Sequence, residues 1–191
     1  MSLMTVKRKA SKLFDNHLLD EIGVPIVNLV TDSRLIKPGD TFLAYAGEVT
    51  DGRKFIPQAI AAGANAILWD PQNFSWNPEW RIPALAINEL RARAGLIASY
   101  VYGNPSQKLW MVGITGTNGK TSCSHWYAQA MTSLGKKTAV LGTLGNGFSG
   151  ELEVAENTTP EATVLQRSLA RFAERGAQSV AMEVSSHGLV Q

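Results

Sequence analysis

The sequence predicts an α/β protein, with a small mixed α/β domain followed by a parallel-sheet domain of the phosphate-loop type. Three observations support this fold class. Short apolar segments alternate with helical ones, clusters of glycine and proline separate them, and a glycine-rich run at 113–121 joins an apolar segment to a helical one. The segment Tyr102–Ser106 (YGNPS) interrupts the pattern. We therefore expect one domain at residues 1–106 and a second at residues 107–191.

The first domain is expected to contain four strands and two helices. Runs rich in apolar and β-branched residues predict the strands, and apolar residues at helical spacing predict the helices. Gly63 suits the left-handed residue that commonly ends a helix. The predicted strands cover residues 26–31, 41–46, 66–69 and 84–87, and the predicted helices cover residues 56–62 and 90–100.

The second domain is expected to follow a βαβαβ pattern, with right-handed crossovers between parallel strands. Its predicted strands cover residues 109–114, 138–143 and 179–184, and its helices cover residues 120–134 and about 161–175. Ligands of such sheets bind beyond the carboxyl ends of the strands, so we expect a single site there. Three strands alone would leave a sheet edge uncovered. We therefore expect the chain to be an N-terminal fragment of a longer protein.

Composition narrows the class of protein. The 191 residues carry 18 basic and 16 acidic side chains, without a long block of like charge, so no nucleic-acid partner is expected. The short basic cluster at residues 7–9 is interpreted as a solvated terminus. The single cysteine, Cys123, excludes an intramolecular disulfide and fits a reducing compartment. Without a bilayer-length apolar run or a signal peptide, we expect a cytoplasmic protein that does not contact a membrane.

The run Gly113–Thr121 carries the strongest chemical signal. Backbone N–H groups of a glycine-rich turn at a helix N-terminus form a cradle for phosphate oxygens. Lys120 can then reach the outer phosphates, and the Thr121 hydroxyl can bind Mg²⁺. The usual phosphate loop has a glycine five residues before Gly119, where this chain has Ile114. A purely structural turn between a strand and a helix is the alternative.

Polar residues also follow the other predicted strands of the second domain. Glu183 comes at the end of an apolar strand, where a carboxylate can bind the metal ion of a nucleotide site; capping of a following helix by Ser185 or Ser186 is the alternative. His187 remains open between a structural residue and a ligand. The cluster Asn157–Pro160 offers hydrogen bonds to a substrate, or else forms a helix start with proline at its first position.

Several of these motifs resemble the Mur ligases, the ATP-dependent enzymes that add amino acids during peptidoglycan synthesis. Gly116–Thr121 with Gly113 upstream is similar to their phosphate loop, which folylpolyglutamate and cyanophycin synthetases share. Thr31–Arg34 with Pro38–Asp40 resembles their uridine-binding domain, as do Asp51–Arg53 and Phe55–Ile56. Asn157–Pro160 combined with Met182–His187 is similar to the MurE type, and the MurF type lacks that combination. The resemblance extends from about residue 28 to residue 191.

This resemblance implies a ligase that adds meso-2,6-diaminopimelate or L-lysine to UDP-N-acetylmuramoyl-L-alanyl-D-glutamate through an acyl phosphate. ATP and Mg²⁺ are its implied cofactors, Lys120 and Glu183 its implied catalytic residues, and a monomer its expected state. Residues implied to hold ATP are Gly116, Thr117, Asn118, Gly119, Lys120, Thr121 and Ser122, and those implied to bind Mg²⁺ are Thr121 and Glu183. Residues implied to contact the uridine nucleotide are Thr31, Ser33, Glu48, Val49 and Thr50. Residues implied to contact the muramoyl dipeptide are Asn157, Thr158, Thr159, Ser185 and Gln191.

The resemblance also places a metal-binding histidine and a carbamylated lysine of the family beyond residue 191, which makes His187 a minor candidate. We therefore expect no ligation by this chain alone. Three alternatives remain: another Mur-type ligase such as MurF or a folylpolyglutamate synthetase, a non-catalytic nucleotide-binding module, and a phosphotransferase unrelated to cell walls.

Overall fold

The computed structural model describes residues 15–155 and 157–185, which form two α/β layers, each built around its own sheet. The predicted fold class is confirmed. The first sheet has four parallel strands in the order β1-β2-β3-β4, and the second has five strands in the order β5-β9-β6-β7-β8. The strands are β1 Leu29–Val30, β2 Thr41–Ala44, β3 Ala66–Trp69, β4 Ala84–Ala86, β5 Trp110–Ile114, β6 Thr138–Gly142, β7 Gly145–Phe148, β8 Glu151–Glu153 and β9 Ser179–Glu183. The α-helices are α1 Ile56–Ala61, α2 Leu90–Val101, α3 Lys120–Ser133 and α4 Ala162–Glu174.

Strands β1, β2 and β3 of the first sheet are buried because their side chains alternate between two apolar cores. Leu43 and Leu68 pack into the core that α2 covers. Phe42 and Ile67 pack into the opposite core, which α1 and the aromatic loop after β3 cover. The predicted strands and helices of this half are confirmed: β3 has the predicted bounds, α2 extends one residue further, and the other elements are shorter than predicted. Gly63 has the expected positive φ of 92°.

The second sheet combines three parallel strands with an antiparallel hairpin. Strand β9 lies between β5 and β6, with Ile114 opposite Glu183 and Leu141 opposite Met182. The predicted βαβαβ pattern is confirmed for these three strands. The expectation of only three strands is wrong, because β7 and β8 extend the sheet beyond β6.

Glycine explains why the sequence pattern does not predict the hairpin. Gly145 and Gly147 lie inside β7 with φ of 135° and 148°, backbone conformations that favour glycine. A Cβ on Gly145 would lie 2.6 Å from the carbonyl oxygen of Glu153. The glycines therefore permit close approach of β8, although in sequence they resemble loop residues.

The start of α4 also differs from its predicted form. Pro160 was interpreted as a possible first helical residue, but the helix begins at Ala162 with Glu161 at the N-cap, so that alternative is wrong. Helices α2 and α4 pack together where the two halves meet. Gly95 permits this packing, since a Cβ there would lie 3.3 Å from the Cβ of Ala162.

Side-chain hydrogen bonds also join the two halves. Thr31 donates to the carboxylate of Glu161 over 3.0 Å, and Arg167 donates to the side-chain oxygen of Asn28 over 3.1 Å. Among the described residues, none of the helices combines the length and apolar character needed to cross a bilayer. The domain boundary at residue 106 stays a prediction, although it falls between the two sheets.

Candidate nucleotide and substrate site

The glycine-rich loop lies between β5 and α3, as predicted. Gly116 and Gly119 have φ of 144° and 79°, conformations that glycine adopts without the strain of a side chain. Gly119 caps α3, whose first residue is Lys120, so the first N–H groups of the helix face the loop. The Lys120 ammonium donates a hydrogen bond to the Gly116 carbonyl over 2.8 Å. The loop thus combines backbone donors, a helix N-terminus and the Lys120 ammonium.

Glu183 ends the central strand β9 and lies beside this loop. Its side chain is fully buried. One carboxylate oxygen accepts hydrogen bonds from the hydroxyls of Thr121, at 3.0 Å, and Thr143, at 3.2 Å. The other oxygen accepts the backbone N–H of Thr143 at 3.1 Å. The sheet order explains this proximity, because β9 lies between the strands that precede Thr121 and Thr143.

The residues around Glu183 fit a divalent cation. A buried carboxylate is normally paired with a cation or bound to a metal ion. Across residues 15–155 and 157–185, no ion pair includes Glu183, and its recorded donors are uncharged. The Thr121 hydroxyl and the carboxylate are hard oxygen ligands of the kind that Mg²⁺ prefers. The same part of the chain holds no cluster of three acidic, histidine or cysteine side chains.

Gly142 makes the buried position of Glu183 possible. A Cβ at this residue would lie 2.6 Å from Cδ of Glu183 and 2.9 Å from its Cγ, and closer still to Oε1. Real Cβ atoms essentially never show such short distances, so a side chain at residue 142 would force the Glu183 carboxylate out of its present position. Sequence reasoning assigned no individual role to Gly142 or Thr143, although both lie at the carboxyl end of a predicted strand, because the register that brings β6 beside β9 is visible only in the sheet.

A cavity of about 620 Å³ opens at the carboxyl ends of the first sheet. Three of the five predicted uridine-contacting residues line it: Thr31, Ser33 and Thr50. The Ser33 hydroxyl donates to the side-chain oxygen of Gln58 over 3.2 Å. The other two lie apart from this cavity, since Glu48 forms a 2.7 Å ion pair with Arg91 and Val49 is 98% exposed. Uridine contacts by all five residues stay a prediction.

A second cavity of about 520 Å³ lies between residues of the first half of the chain and residues of the half that contains the phosphate loop. Four of the five residues predicted to contact the dipeptide line it, namely Asn157, Thr158, Thr159 and Ser185. The Thr159 hydroxyl lies 3.1 Å from both the Glu183 carbonyl and the Ser185 hydroxyl, so this wall is tied to the end of β9. Gln191 lies outside the described residues, as do Ser186 and His187.

The two cavities are neighbours, because Tyr45, Gly47 and Glu161 line both of them. We call the two neighbouring cavities together the substrate trough. Burial raises the pKa of the Tyr45 phenol, the charge of Glu161 raises it further, and Arg91 opposes the shift. Tyr45 is therefore a neutral hydrogen-bonding group in the trough at neutral pH. Sequence reasoning missed Tyr45 and Glu161, because neither belongs to a motif and only the packing of the two halves brings them together.

A parallel sheet with a glycine-rich loop ahead of α3, preceded by a smaller parallel sheet, defines a phosphate-loop α/β protein. Family models agree with that class. Residues 114–191 match the model described as Mur ligase middle domain, and residues 25–102 match Mur ligase family, catalytic domain. The chain belongs to the Mur ligase family, and the predicted MurE-type resemblance is confirmed by the relatives it matches.

Two curated relatives are UDP-N-acetylmuramoyl-L-alanyl-D-glutamate–2,6-diaminopimelate ligases. The Nitrosomonas europaea protein is 62% identical over 91% of this chain and 33% of its own length. The Chromobacterium violaceum protein is 53% identical over 93% of this chain and 36% of its own length. A solved structure of a ligase with the same name has a TM-score of 0.68 and 30% identity, covering 87% of this chain and 33% of that one. The chain thus spans about one third of the length of the relatives it matches.

Proposed function

We propose that this chain supplies the UDP-sugar pocket and the phosphate-loop part of the ATP site of a ligase. The proposed reaction adds meso-2,6-diaminopimelate to UDP-N-acetylmuramoyl-L-alanyl-D-glutamate. One observation carries the proposal: the substrate trough starts at the predicted uridine residues Thr31 and Ser33, and its other end, at Thr159 and Ser185, is hydrogen-bonded to the end of β9. There the Glu183 carboxylate accepts a hydrogen bond from Thr121, which directly follows the phosphate loop and Lys120. That layout suits a long nucleotide-linked substrate whose far end must meet ATP.

The proposed chemistry has two steps. A terminal carboxylate of the substrate attacks the γ-phosphorus of ATP, which breaks the bond to ADP and forms an acyl phosphate. The amine of the diamino acid then attacks the acyl carbon, forming the amide and releasing phosphate. The first step brings two anions together, so it requires positive charge fixed at the meeting point. The backbone N–H groups at the start of α3 and the Lys120 ammonium supply that charge.

Lys120 would change partners when a nucleotide binds. Its ammonium donates a hydrogen bond to the Gly116 carbonyl, which is a neutral acceptor. Phosphate oxygens are charged and therefore stronger acceptors, so the ammonium can replace the carbonyl with them. Thr121 and Glu183 would hold Mg²⁺, which when bound neutralises charge on the phosphates. Asn157, Thr158 and Thr159 would orient the dipeptide with uncharged hydrogen bonds, in a cavity that the Arg91 side chain also lines.

The choice of diaminopimelate over L-lysine rests on the names of the 62% and 53% identical relatives. We also propose that the protein acts as a monomer in the cytoplasm, where ATP and UDP-linked precursors are available. The single cysteine agrees with a reducing compartment, and sedimentation of the purified protein tests the monomeric state.

Calorimetric titration tests the proposed function. The chain should bind UDP-N-acetylmuramoyl-L-alanyl-D-glutamate more tightly than UDP alone, since the dipeptide adds contacts at the second cavity. Ser33→Ala should weaken binding of both ligands, whereas Ser133→Ala, at the end of α3 and outside the trough, should not. ATP binding without any binding of the UDP-linked substrate would contradict the proposal and favour an unrelated phosphotransferase.

A further inference from the structure

Thr143 connects the metal-binding side of the site to the dipeptide side. It directly follows β6, and its backbone N–H and hydroxyl both donate to Glu183. The same hydroxyl lies 3.1 Å from the hydroxyl of Thr158, which lines the second cavity. Thr143 therefore contacts a group of the candidate metal site and a group of the substrate trough at once.

The hydroxyl of Thr143 has one proton, and this limits what it can do. While that proton is donated to Glu183, the contact with Thr158 requires Thr158 to be the donor. The hydroxyls then form a chain in which Thr158 donates to Thr143 and Thr143 donates to Glu183. The carboxylate oxygen that accepts from Thr143 also accepts from Thr121.

A substrate acceptor at Thr158 would reverse this chain. The Thr158 hydroxyl would then donate its hydrogen bond to a carboxylate or carbonyl of the dipeptide, because a charged or strong acceptor competes well with a neutral hydroxyl. Thr158 could then accept a hydrogen bond from the Thr143 hydroxyl, which would no longer donate to Glu183. The freed lone pair of the Glu183 oxygen would become available to a cation.

We propose that Thr143 is a positioning residue through which occupancy of the dipeptide end of the trough increases the metal affinity of Glu183. The inference rests on the proposed function, because it takes the dipeptide as the ligand of Thr158. Coupling between two binding sites is reciprocal, so the metal ion must tighten substrate binding by the same factor. Binding of the correct substrate would thereby strengthen metal binding before phosphoryl transfer.

The test measures Mn²⁺ affinity by electron paramagnetic resonance, in the presence of ADP, with and without UDP-N-acetylmuramoyl-L-alanyl-D-glutamate. In the wild-type chain the substrate should tighten Mn²⁺ binding about fivefold or more, the usual lower range for coupled sites. Thr143→Val keeps the shape and the backbone N–H but lacks the hydroxyl. In this variant the ratio of the Mn²⁺ affinities with and without substrate should therefore fall to near one. Thr143→Ser restores a hydroxyl and should recover the coupling.

Control variants separate this role from a structural one. Thr132→Val makes the same chemical change on an exposed turn of α3 and should leave the ratio unchanged. If Thr143→Val lowers the unfolding temperature strongly, Thr158→Val interrupts the same chain from its other end and should also abolish the coupling. Replacing a merely structural residue would change the Mn²⁺ affinity with substrate and without substrate by the same factor, so that their ratio stays constant.

The outcomes distinguish the two proposals. Wild-type binding of both ligands without coupling, or full coupling in Thr143→Val, overturns the role of Thr143 and leaves the proposed function intact. Absence of Mn²⁺ binding in both states overturns the metal role of Glu183 and the inference with it. Absence of binding of the UDP-linked substrate overturns the proposed function itself.

Discussion

Gly142→Ala tests whether the Glu183 carboxylate packs directly against residue 142. The new methyl group would occupy space that the Glu183 side chain fills, at 2.6 Å from Cδ. Glu183 is fully buried between two neighbouring strands, so its carboxylate has to move by roughly 1 Å or more to reach ordinary van der Waals separation. The hydrogen bonds from Thr121 and Thr143, at 3.0–3.2 Å, would then stretch beyond useful length.

The expected loss of stability combines overpacking with weakened hydrogen bonds to a charged group. Overpacking of a filled core costs about 1–3 kcal/mol, and each hydrogen bond to a charged group contributes about 1.5–3 kcal/mol, of which relaxation recovers part. We expect a total of about 2–4 kcal/mol, or a fall of roughly 10 °C in unfolding temperature for a chain of this size. Affinity for Mn²⁺ with ADP should fall at least tenfold, which is about 1.4 kcal/mol.

Gly113→Ala is the matched control. Gly113 lies in β5 of the same sheet, and a Cβ there would lie 3.4 Å from a methyl group of Val184, an ordinary contact. Differential scanning fluorimetry and Mn²⁺ titration should therefore show a large effect for residue 142 and a small one for residue 113. Equal, small effects in the two variants would refute the packing of Glu183 against Gly142.

Three further predictions concern separate parts of the molecule. Lys120→Ala should reduce ADP affinity at least tenfold, about 1.4 kcal/mol, in a calorimetric titration, while the circular dichroism spectrum stays unchanged because backbone atoms build the loop. Asp51→Asn should cost about 2 kcal/mol in urea unfolding at pH 7, since it removes the carboxylate that pairs with the buried Arg53. The hydrogen bonds from Arg53 lower the pKa of Asp51. This stabilisation is therefore complete above the unfolded-state pKa of about 4 and disappears as the pH falls through the folded-state pKa. If the wild-type chain and Asp51→Asn differed in unfolding free energy as much at pH 2.5 as at pH 7, the prediction would be contradicted. Thr31→Val removes the 3.0 Å hydrogen bond to Glu161 and should cost about 1 kcal/mol of stability together with weaker binding of the UDP-linked substrate; unchanged stability and affinity would exclude a role for this bond.

Much of the fold could be predicted from local sequence patterns. The strands around Phe42 and Ile67 are short apolar runs bounded by turn residues, and the positive φ of Gly63 ends a helix as expected. The hairpin β7–β8 could not be predicted in this way. Its glycines serve close approach between two strands, and that requirement depends on the partner strand rather than on local sequence.

The candidate site shows the same division. Lys120, Thr121 and Glu183 were predicted because each occupies a typical position at the carboxyl end of a parallel strand. Thr143 and Gly142 received no individual role because their contacts with Glu183 arise only when β9 is inserted between β5 and β6. Glu161 was missed for a related reason, since its contact with Thr31 joins positions 130 residues apart in sequence.

The central claim is that one trough carries a UDP-linked substrate from the first sheet to the phosphate loop. A crystal structure of the chain with UDP-N-acetylmuramoyl-L-alanyl-D-glutamate tests it most directly. The account predicts the uridine beside Ser33, the sugar and diphosphate passing Tyr45 and Glu161, and the dipeptide against Thr158 and Thr159. A substrate bound elsewhere, such as in the separate cavity lined by Gln72 and Asn73, would contradict it.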